Sequence, residues 1–231
     1  MKVLILAGGL GTRIRALFPE RPKSMIPFNG KPFLEHQMQI LADQGFRDFV
    51  LCIGHGAEQI SDYFGDGSRR GWTVEYSEEV TPLGTGGALR YAEAFFQEAV
   101  LILNGDTYFA MDYRALATDH AGHSDAIATI AVATVEDTAR YGQVIVDADR
   151  RITAFREKAA AQGRGRVNAG CYIFEPEVLR YIPAGQKTSL EQQVFPALLA
   201  AGEPLYAFGA PGAFVDIGTP EGYHTLKDIL Q

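Results

Sequence analysis

The first half of the chain alternates short apolar runs with segments of helical periodicity. Apolar runs of strand length lie at residues 2–7, 48–53, 72–76 and 100–103. Between them, apolar residues recur at helical spacing over residues 33–44, 57–64 and 88–96. Helices that alternate with strands are typical of parallel strands joined by crossover connections. The pattern therefore predicts an α/β fold with a Rossmann-like, doubly wound sheet.

The pattern changes near residue 125, where strand-like segments follow one another with little helix between them. These segments lie at residues 126–135, 143–146, 151–155 and 169–174, and helical spacing returns at 190–198 and 223–230. We therefore expect a mostly parallel mixed sheet with a β-rich second part. No linker or repeat divides the chain, so we expect one domain, 1–231, with parts of about 1–124 and about 125–231.

Composition narrows the class of protein. The chain has 231 residues, 47% hydrophobic and 21% charged, which is enough for one large core. No apolar run approaches the roughly 20 residues of a membrane span, and the N-terminal run is too short for a secretory signal. Cys52 and Cys171 lie in strand-like runs and are expected to be free thiols. A net charge of −7, with no basic stripe along the sequence, argues against binding of nucleic acid. We expect a cytoplasmic protein with no membrane partner, as a monomer or homo-oligomer.

Positive charge is concentrated just after the first apolar run. Three glycines and then four cations follow that run: Gly8, Gly9, Gly11, Arg13, Arg15, Arg21 and Lys23. Glycine lets backbone N–H groups approach an anion, and arginine and lysine neutralise its charge. In an acidic chain, this segment predicts a phosphate-binding loop.

Two common phosphate-binding loops do not fit these letters. A Walker A loop needs a Gly-Lys pair followed by Ser or Thr, and the segment has none. A dinucleotide fingerprint beginning at Gly9 would need a third glycine where Ile14 stands. It also calls for an acid after the second strand, where Gly54 and His55 are found. An NAD-binding oxidoreductase is therefore disfavoured.

The pattern GGxGxR, followed ten residues later by Lys, resembles the loop of sugar-1-phosphate nucleotidyltransferases. Later segments resemble that family's motifs, in the family's order: PLGTGGA at 82–88, LNGD at 103–106, REK at 156–158, NAGCY at 168–172 and FVDIGTPE at 214–221. The resemblance implies attack of a sugar 1-phosphate oxygen on the α-phosphorus of a nucleoside triphosphate, which releases pyrophosphate. Some relatives carry a left-handed β-helix, but this sequence lacks hexapeptide repeats, so we expect no such extension and no acyltransferase activity.

The resemblance also implies roles for individual residues. The expected catalytic residues are Arg13, Lys23 and Asp106, and the expected Mg²⁺ ligands are Asp106 and Asp216. Both aspartates follow apolar runs, and hard carboxylate oxygens suit Mg²⁺. The expected nucleotide-binding residues are Leu6, Ala7, Gly8, Gly9, Gly11, Thr12, Glu79, Pro82, Gly84 and Thr85. The expected sugar-phosphate-binding residues are Gly142, Glu157, Lys158, Asn168 and Gly170, and residues 159–167 are expected to form a flap. On this view, the first part of the chain binds nucleotide and the second binds sugar phosphate.

Two further features of the sequence bear on the choice of base and sugar. A carboxylate from Glu79 could accept from the two adjacent donors of guanine, N1–H and the 2-amino group. The strings RPKSMIPFNGKPFLEHQ, RYGQVIVD and FVDIGTPEGYH are similar to D-glycero-α-D-manno-heptose 1-phosphate guanylyltransferases. We therefore expect GTP with a heptose or mannose 1-phosphate. The alternatives are an N-acetylmuramate- or glucose-1-phosphate uridylyl- or cytidylyltransferase, and a catalytically inactive nucleotide-sugar-binding regulator.

Overall fold

The computed structural model describes residues 1–9, 14, 18–19, 21–156 and 163–230. The strands are β1 (Val3–Leu6), β2 (Pro27–Phe28), β3 (Lys31–Pro32), β4 (Asp48–Ile53), β5 (Thr73–Glu78), β6 (Val100–Asn104), β7 (Thr107–Phe109), β8 (Ala128–Val135), β9 (Gln143–Val146), β10 (Ile152–Arg156), β11 (Gly165–Phe174), β12 (Leu205–Gly209) and β13 (Phe214–Asp216). The α-helices are α1 (Phe33–Asp43), α2 (Ala57–Phe64), α3 (Gly84–Tyr91), α4 (Tyr113–Ala121), α5 (Phe195–Ala200) and α6 (Pro220–Ile229). Short 3-10 turns lie at Lys23–Met25, Ser68–Arg70, Glu93–Phe95 and Pro176–Tyr181, and a π-helix lies at Leu190–Val194.

Seven strands form the central sheet, in the order β12-β8-β11-β6-β1-β4-β5. Neighbouring strands are parallel except at β11, which is antiparallel to both β8 and β6. The predicted mostly parallel mixed sheet is therefore confirmed. Strands from both predicted parts of the chain belong to this one sheet.

The core lies on both faces of the sheet because β1 alternates its side chains between them. Ile5 packs in the cluster that contains Leu34 and Met38 of α1. Leu4 packs in the opposite cluster, together with Leu89 of α3 and Phe195 of α5. Helices thus cover both faces, as a doubly wound sheet requires.

Some elements differ from the sequence prediction. Helix α4 and strand β12 were not predicted; the buried face of α4 consists only of Tyr113, Leu116 and His120, which gives a weak periodic signal. The predicted helix over 190–198 is a π-helix followed by α5. The predicted flap over 159–167 is wrong for residues 165–167, which pair with β8 as part of β11. Residues 159–162 lie outside the described part of the chain.

Cys52 and Cys171 are buried and free, as predicted. Burial raises the pKa of the Cys52 thiol to about 12 and also raises the pKa of Cys171, so neither is a thiolate near neutral pH. Among the described residues, no helix is both long enough and apolar enough to cross a membrane.

Candidate active site

Strands β1 and β6 bring two of the predicted motifs to the same edge of the sheet. Leu6, the last residue of β1, pairs with Asn104, the last residue of β6. The N–H of Gly105 then donates to the Leu6 carbonyl at 3.0 Å. The glycine loop and Asp106 therefore both follow the carboxyl ends of neighbouring parallel strands. Ligands bind at such ends in open α/β sheets.

A small antiparallel pair places the second aspartate beside the first. Asp216 at the end of β13 lies opposite Thr107 at the start of β7. One residue further along, the N–H of Ile217 donates to the Asp106 carbonyl at 3.0 Å. Asp106 and Asp216, which are 110 positions apart in the sequence, thus belong to adjacent backbone segments.

Lys23 joins the two aspartates. Its ammonium donates to Asp106 Oδ2 at 2.6 Å and lies 3.6 Å from Asp216 Oδ1. Asp216 Oδ1 also accepts from the N–H of Gly218 at 2.7 Å. The Lys23 side chain is only 9% exposed, so its charge needs nearby compensation, and the two carboxylates provide it. Three of the predicted site residues are therefore brought together.

The donor set at this point suits a hard divalent cation. Two carboxylates converge, and both border a cavity open to ligand. In the part of the chain that the structure describes, no cluster of three or more His, Cys, Asp or Glu could hold a metal. A metal held here would thus take two protein carboxylates and complete its shell with substrate oxygens, as Mg²⁺ commonly does.

A cavity of about 440 Å³ adjoins the two aspartates. Six of the predicted site residues line it: Thr85, Asp106, Gly142, Asn168, Gly170 and Asp216. The lining also includes residues that were not predicted, among them Arg140, Phe155, Arg156, Ser189 and Glu191. Arg140 is the first residue of the segment RYGQVIVD and Arg156 is the first residue of REK, and membership of these segments is the signal that could have found them.

A bulge in β11 directs Asn168 and Gly170 to the cavity wall. The pairing with β8 shifts register between Asn168 and Tyr172. Asn168 Oδ1 accepts from the N–H of Gly170 at 2.9 Å, and its Nδ2 donates to the buried hydroxyl of Tyr172 at 2.9 Å. Gly170 has φ +67°, and a Cβ there would lie 2.7 Å from Asn104 Nδ2. The amide keeps one hydrogen and one lone pair for a ligand.

The predicted base-binding segment packs against the wall that carries Glu191. The N–H groups of Gly86 and Gly87 both donate to the Thr188 carbonyl, at 2.8 and 3.2 Å. Thr85 Oγ1 accepts from the N–H of Leu190 at 2.8 Å and donates to Glu191 Oε2 at 3.3 Å. One threonine hydroxyl thereby connects α3 to the π-helix.

Glu79 contacts three loops at once. Its Oε2 accepts from the N–H of Leu83 at 3.1 Å. Its Oε1 lies 3.2 Å from the positions that a Cβ on Gly8 or on Gly54 would occupy. Burial raises the pKa of the Glu79 carboxyl above its usual range. The carboxylate is therefore partly desolvated between the loops that follow β1 and β4.

The remaining predicted site residues divide into two groups. Described residues that do not line the cavity are Leu6, Ala7, Gly8, Gly9, Lys23, Glu79, Pro82 and Gly84. Predicted residues outside the described part of the chain are Gly11, Thr12, Arg13, Glu157 and Lys158. The role given to every predicted site residue, including those that line the cavity, stays a prediction.

A second cavity, of about 540 Å³, lies beside the start of β8 and the end of β11, and none of the predicted site residues that the structure describes lines it. His120 is buried in its wall, with Nδ1 2.8 Å from the Thr129 hydroxyl and Nε2 3.1 Å from Glu175 Oε1. The ring thus has a partner on each nitrogen.

Comparison with known proteins decides the family. A family model described as nucleotidyl transferase matches residues 2–231. The chain belongs to this family. Its members generally use a divalent metal ion. The predicted resemblance to sugar-1-phosphate nucleotidyltransferases is confirmed.

Three curated relatives are each 36% identical to the chain. D-glycero-alpha-D-manno-heptose 1-phosphate guanylyltransferase of Aneurinibacillus thermoaerophilus matches over 100% of this chain and 99% of its own length. UTP–glucose-1-phosphate uridylyltransferase of Synechocystis sp. matches over 100% of this chain, and mannose-1-phosphate guanylyltransferase of Mycobacterium tuberculosis matches over 95%. The chain spans only 63% and 62% of the lengths of these last two proteins.

A solved relative shares the whole fold. The crystal structure of HddC from Yersinia pseudotuberculosis superposes with a TM-score of 0.88 at 32% identity, covering 100% of this chain and 99% of that one. A second crystal structure of HddC, complexed with GMP-PN, gives a TM-score of 0.87. The fold predicted from the alternation of strands and helices is the fold of HddC.

Proposed function

We propose that the chain is a sugar-1-phosphate guanylyltransferase that acts on a heptose or mannose 1-phosphate. A phosphate oxygen of the sugar 1-phosphate forms a bond to the α-phosphorus of GTP, the bond to the bridging oxygen breaks, and pyrophosphate leaves. The observation that carries this proposal is the Lys23 ammonium held between Asp106 and Asp216 beside the cavity.

Such a displacement needs no nucleophilic side chain, so the protein's task is to align two anions and offset their charge. Lys23 is close enough to both aspartates to lie beside a phosphate bound there, and we assign it to the α-phosphate. Gly8 and Gly9, with Gly11 and Thr12, would bind the triphosphate through backbone N–H groups. Arg13 would stabilise the leaving pyrophosphate.

Asp106 and Asp216 would hold Mg²⁺. The ion would supply positive charge to the phosphate oxygens and orient them for in-line attack. With Mg²⁺ bound, the two carboxylates would no longer depend on Lys23 alone for counter-charge, and the ammonium could bind a phosphate oxygen. Lys23 pairs with both expected metal ligands, so its ammonium lies where it could contact a phosphate oxygen bound beside them.

We assign base selection to Glu79. Its carboxylate lies beside Gly8 of the phosphate loop and accepts from Leu83 just before α3, so it is near both expected nucleotide segments. A carboxylate accepts two hydrogen bonds from guanine but finds fewer donors on the pairing edge of uracil or cytosine. HddC, a relative with the same fold, was crystallised with GMP-PN.

The sugar phosphate would bind in the cavity beyond the aspartates. Asn168, Gly142 and the newly identified Glu191 offer hydrogen-bonding groups for ring hydroxyls. Arg156 adds a cation at the cavity wall, next to the predicted Glu157 and Lys158. Residues of about 1–124 would thus bind the nucleotide, and those of about 125–231 the sugar phosphate. We also propose a cytoplasmic location, with no nucleic acid or membrane partner.

A pyrophosphate-release assay that crosses four nucleoside triphosphates with heptose, mannose, glucose and N-acetylmuramate 1-phosphates tests the proposal. We expect the highest kcat/KM with GTP and a heptose or mannose 1-phosphate. The Synechocystis relative favours a second candidate, a glucose-1-phosphate uridylyltransferase, which highest activity with UTP would support. Silence with every pair, in a folded protein that still binds nucleotide, would overturn the proposal in favour of an inactive regulator.

A further inference from the structure

Gln37, a residue of α1 that has no assigned role, holds the turn that carries Asp106. Its side-chain Nε2 donates to the Asn104 carbonyl at 3.0 Å and to the Thr107 carbonyl at 2.7 Å. These carbonyls flank Asp106 on both sides. The Gln37 side chain is 97% buried, with 3% of its surface exposed, so water cannot replace the two hydrogen bonds.

Two other main-chain groups of this turn are held by neighbouring strand segments. The Gly105 N–H donates to β1, and the Asp106 carbonyl accepts from Ile217 next to β13. Main-chain contacts thus fix the middle of the turn, whereas the single amide of Gln37 fixes both of its ends. Hydrogen bonds from α1, β1 and the residue after β13 thus restrain the backbone on both sides of Asp106.

The amide of Gln37 is not explained by stability alone. Its Oε1 is buried without a hydrogen-bond partner among the described residues, and a buried unpaired acceptor is unfavourable. The neighbouring positions on the same face of α1, Leu34 and Met38, are apolar and fully buried. A polar side chain at position 37 costs stability through its oxygen, while its nitrogen makes both contacts to the turn.

We propose that Gln37 is a positioning residue, which aims the Asp106 carboxylate at the Lys23 ammonium and at a divalent cation. This inference rests on the proposed function for its catalytic consequence, but its geometric part does not depend on the identity of the substrates. Outer residues that orient a metal ligand typically change metal affinity by about 10–100-fold when they are lost. Gln37 acts through Asp106 and does not itself contact the cation.

The same helix offers a matched control. Gln44, the residue directly after α1, donates through Nε2 to the Met111 carbonyl at 3.0 Å and accepts through Oε1 from the Tyr113 N–H at 2.7 Å. It therefore makes two side-chain-to-backbone hydrogen bonds, like Gln37, but to the segment that precedes α4. Gln37→Met and Gln44→Met each remove two such bonds with little change in side-chain length.

The test measures binding of Mn²⁺ alone to the purified chain by electron paramagnetic resonance, together with thermal unfolding. We expect Gln37→Met to weaken Mn²⁺ binding about tenfold, and Gln44→Met to leave it within twofold of the wild type. In the pyrophosphate-release assay, Gln37→Met should raise the Mg²⁺ concentration for half-maximal rate and lower kcat. The KM for the sugar 1-phosphate should stay unchanged.

Wild-type Mn²⁺ affinity in a folded Gln37→Met variant, or an equal loss in both variants, would overturn the proposal. If Gln37→Met does not fold, Gln37→Asn is measured in its place and judged by the same outcomes. The shorter asparagine side chain cannot donate to both carbonyls. A wild-type chain that binds Mn²⁺ but releases no pyrophosphate would refute the proposed function, and the Mn²⁺ comparison would still decide the role of Gln37.

Discussion

The buried ammonium of Lys23 donates a 2.6 Å hydrogen bond to Asp106 Oδ2. Lys23 follows the glycine loop, and Asp106 follows β6, so this contact ties together the two segments that a triphosphate would have to bridge. Asp216 Oδ1 lies 3.6 Å from the same ammonium, so the positive charge of one lysine compensates the negative charges of two carboxylates. Substrate or metal binding must therefore redistribute charge among these three residues.

Lys23→Ala should lower kcat by at least about 100-fold, the typical cost of losing one group that stabilises transition-state charge. The fold should survive, because the lysine lies in a short turn outside the central sheet. Steady-state pyrophosphate release and circular dichroism measure the two effects. Lys31→Ala is the control, since Lys31 is exposed and pairs with Glu35. Wild-type turnover in Lys23→Ala would refute the assigned role.

Gly218→Ala should impair the site without touching a predicted ligand. A Cβ at position 218 would lie 2.2 Å from Lys23 Nζ and 2.7 Å from Asp216 Oδ1, so the ammonium must move. We expect kcat to fall at least tenfold, since a misplacement of about 1 Å can cost about 100-fold. Gly209→Ala is the control, because a Cβ there meets nothing within 4 Å. Equal kcat values for the two variants would contradict the close packing described here.

Removal of divalent ions with EDTA should abolish activity, and Mg²⁺ should restore it. Asp216→Asn should raise the Mg²⁺ concentration that gives the half-maximal rate by at least about tenfold. Loss of a residue that only orients a metal ligand already lowers metal affinity by about 10–100-fold, and Asp216 is proposed as a ligand itself. Asp147→Asn serves as the control, because Asp147 caps a turn through the N–H groups of Asp149 and Arg151. Full activity in EDTA would rule out the metal role of both Asp106 and Asp216.

Elements with strong periodicity were predictable from the sequence, and those with weak periodicity were not. The bounds of β4 and α2 agree with the prediction because their apolar residues are closely spaced and glycines follow them. Strand β12 is only five residues long, and it joins the sheet at its edge through tertiary pairing with β8. Such pairing leaves little trace in a local pattern.

The candidate site was predictable where motifs follow strand ends, as at Asp106 and Asp216. Glu191 was not, because its position in the cavity depends on Thr85, which is 106 residues away in sequence. Gln37 did carry a local signal. It lies four residues after Phe33 and four before Leu41, both on the buried stripe of α1. A glutamine on an apolar stripe needs a buried partner, which periodicity alone cannot name.

Glu79→Gln should stabilise the protein near pH 7 but not near pH 4. Burial raises the pKa of Glu79 above its ordinary value of 4.5, so the folded state keeps the proton at a pH where the unfolded state has lost it. Stability therefore falls as pH rises from the unfolded pKa through the raised folded pKa. Glutamine does not ionise, and its oxygen can still accept from the Leu83 N–H, so the variant escapes this loss.

Urea unfolding of both proteins at about pH 4 and about pH 7 measures this difference. Glu78→Gln, at the exposed neighbouring position, is the control and should not reproduce the pH-dependent gain. Glu79→Gln also tests base selection, because the glutamine amide offers guanine one acceptor oxygen where the glutamate carboxylate offers two. We expect Glu79→Gln to lower kcat/KM for GTP more than for UTP. A variant that is less stable than wild type at pH 7, with unchanged preference for GTP, would show that the carboxylate only braces the loops around Gly8 and Leu83.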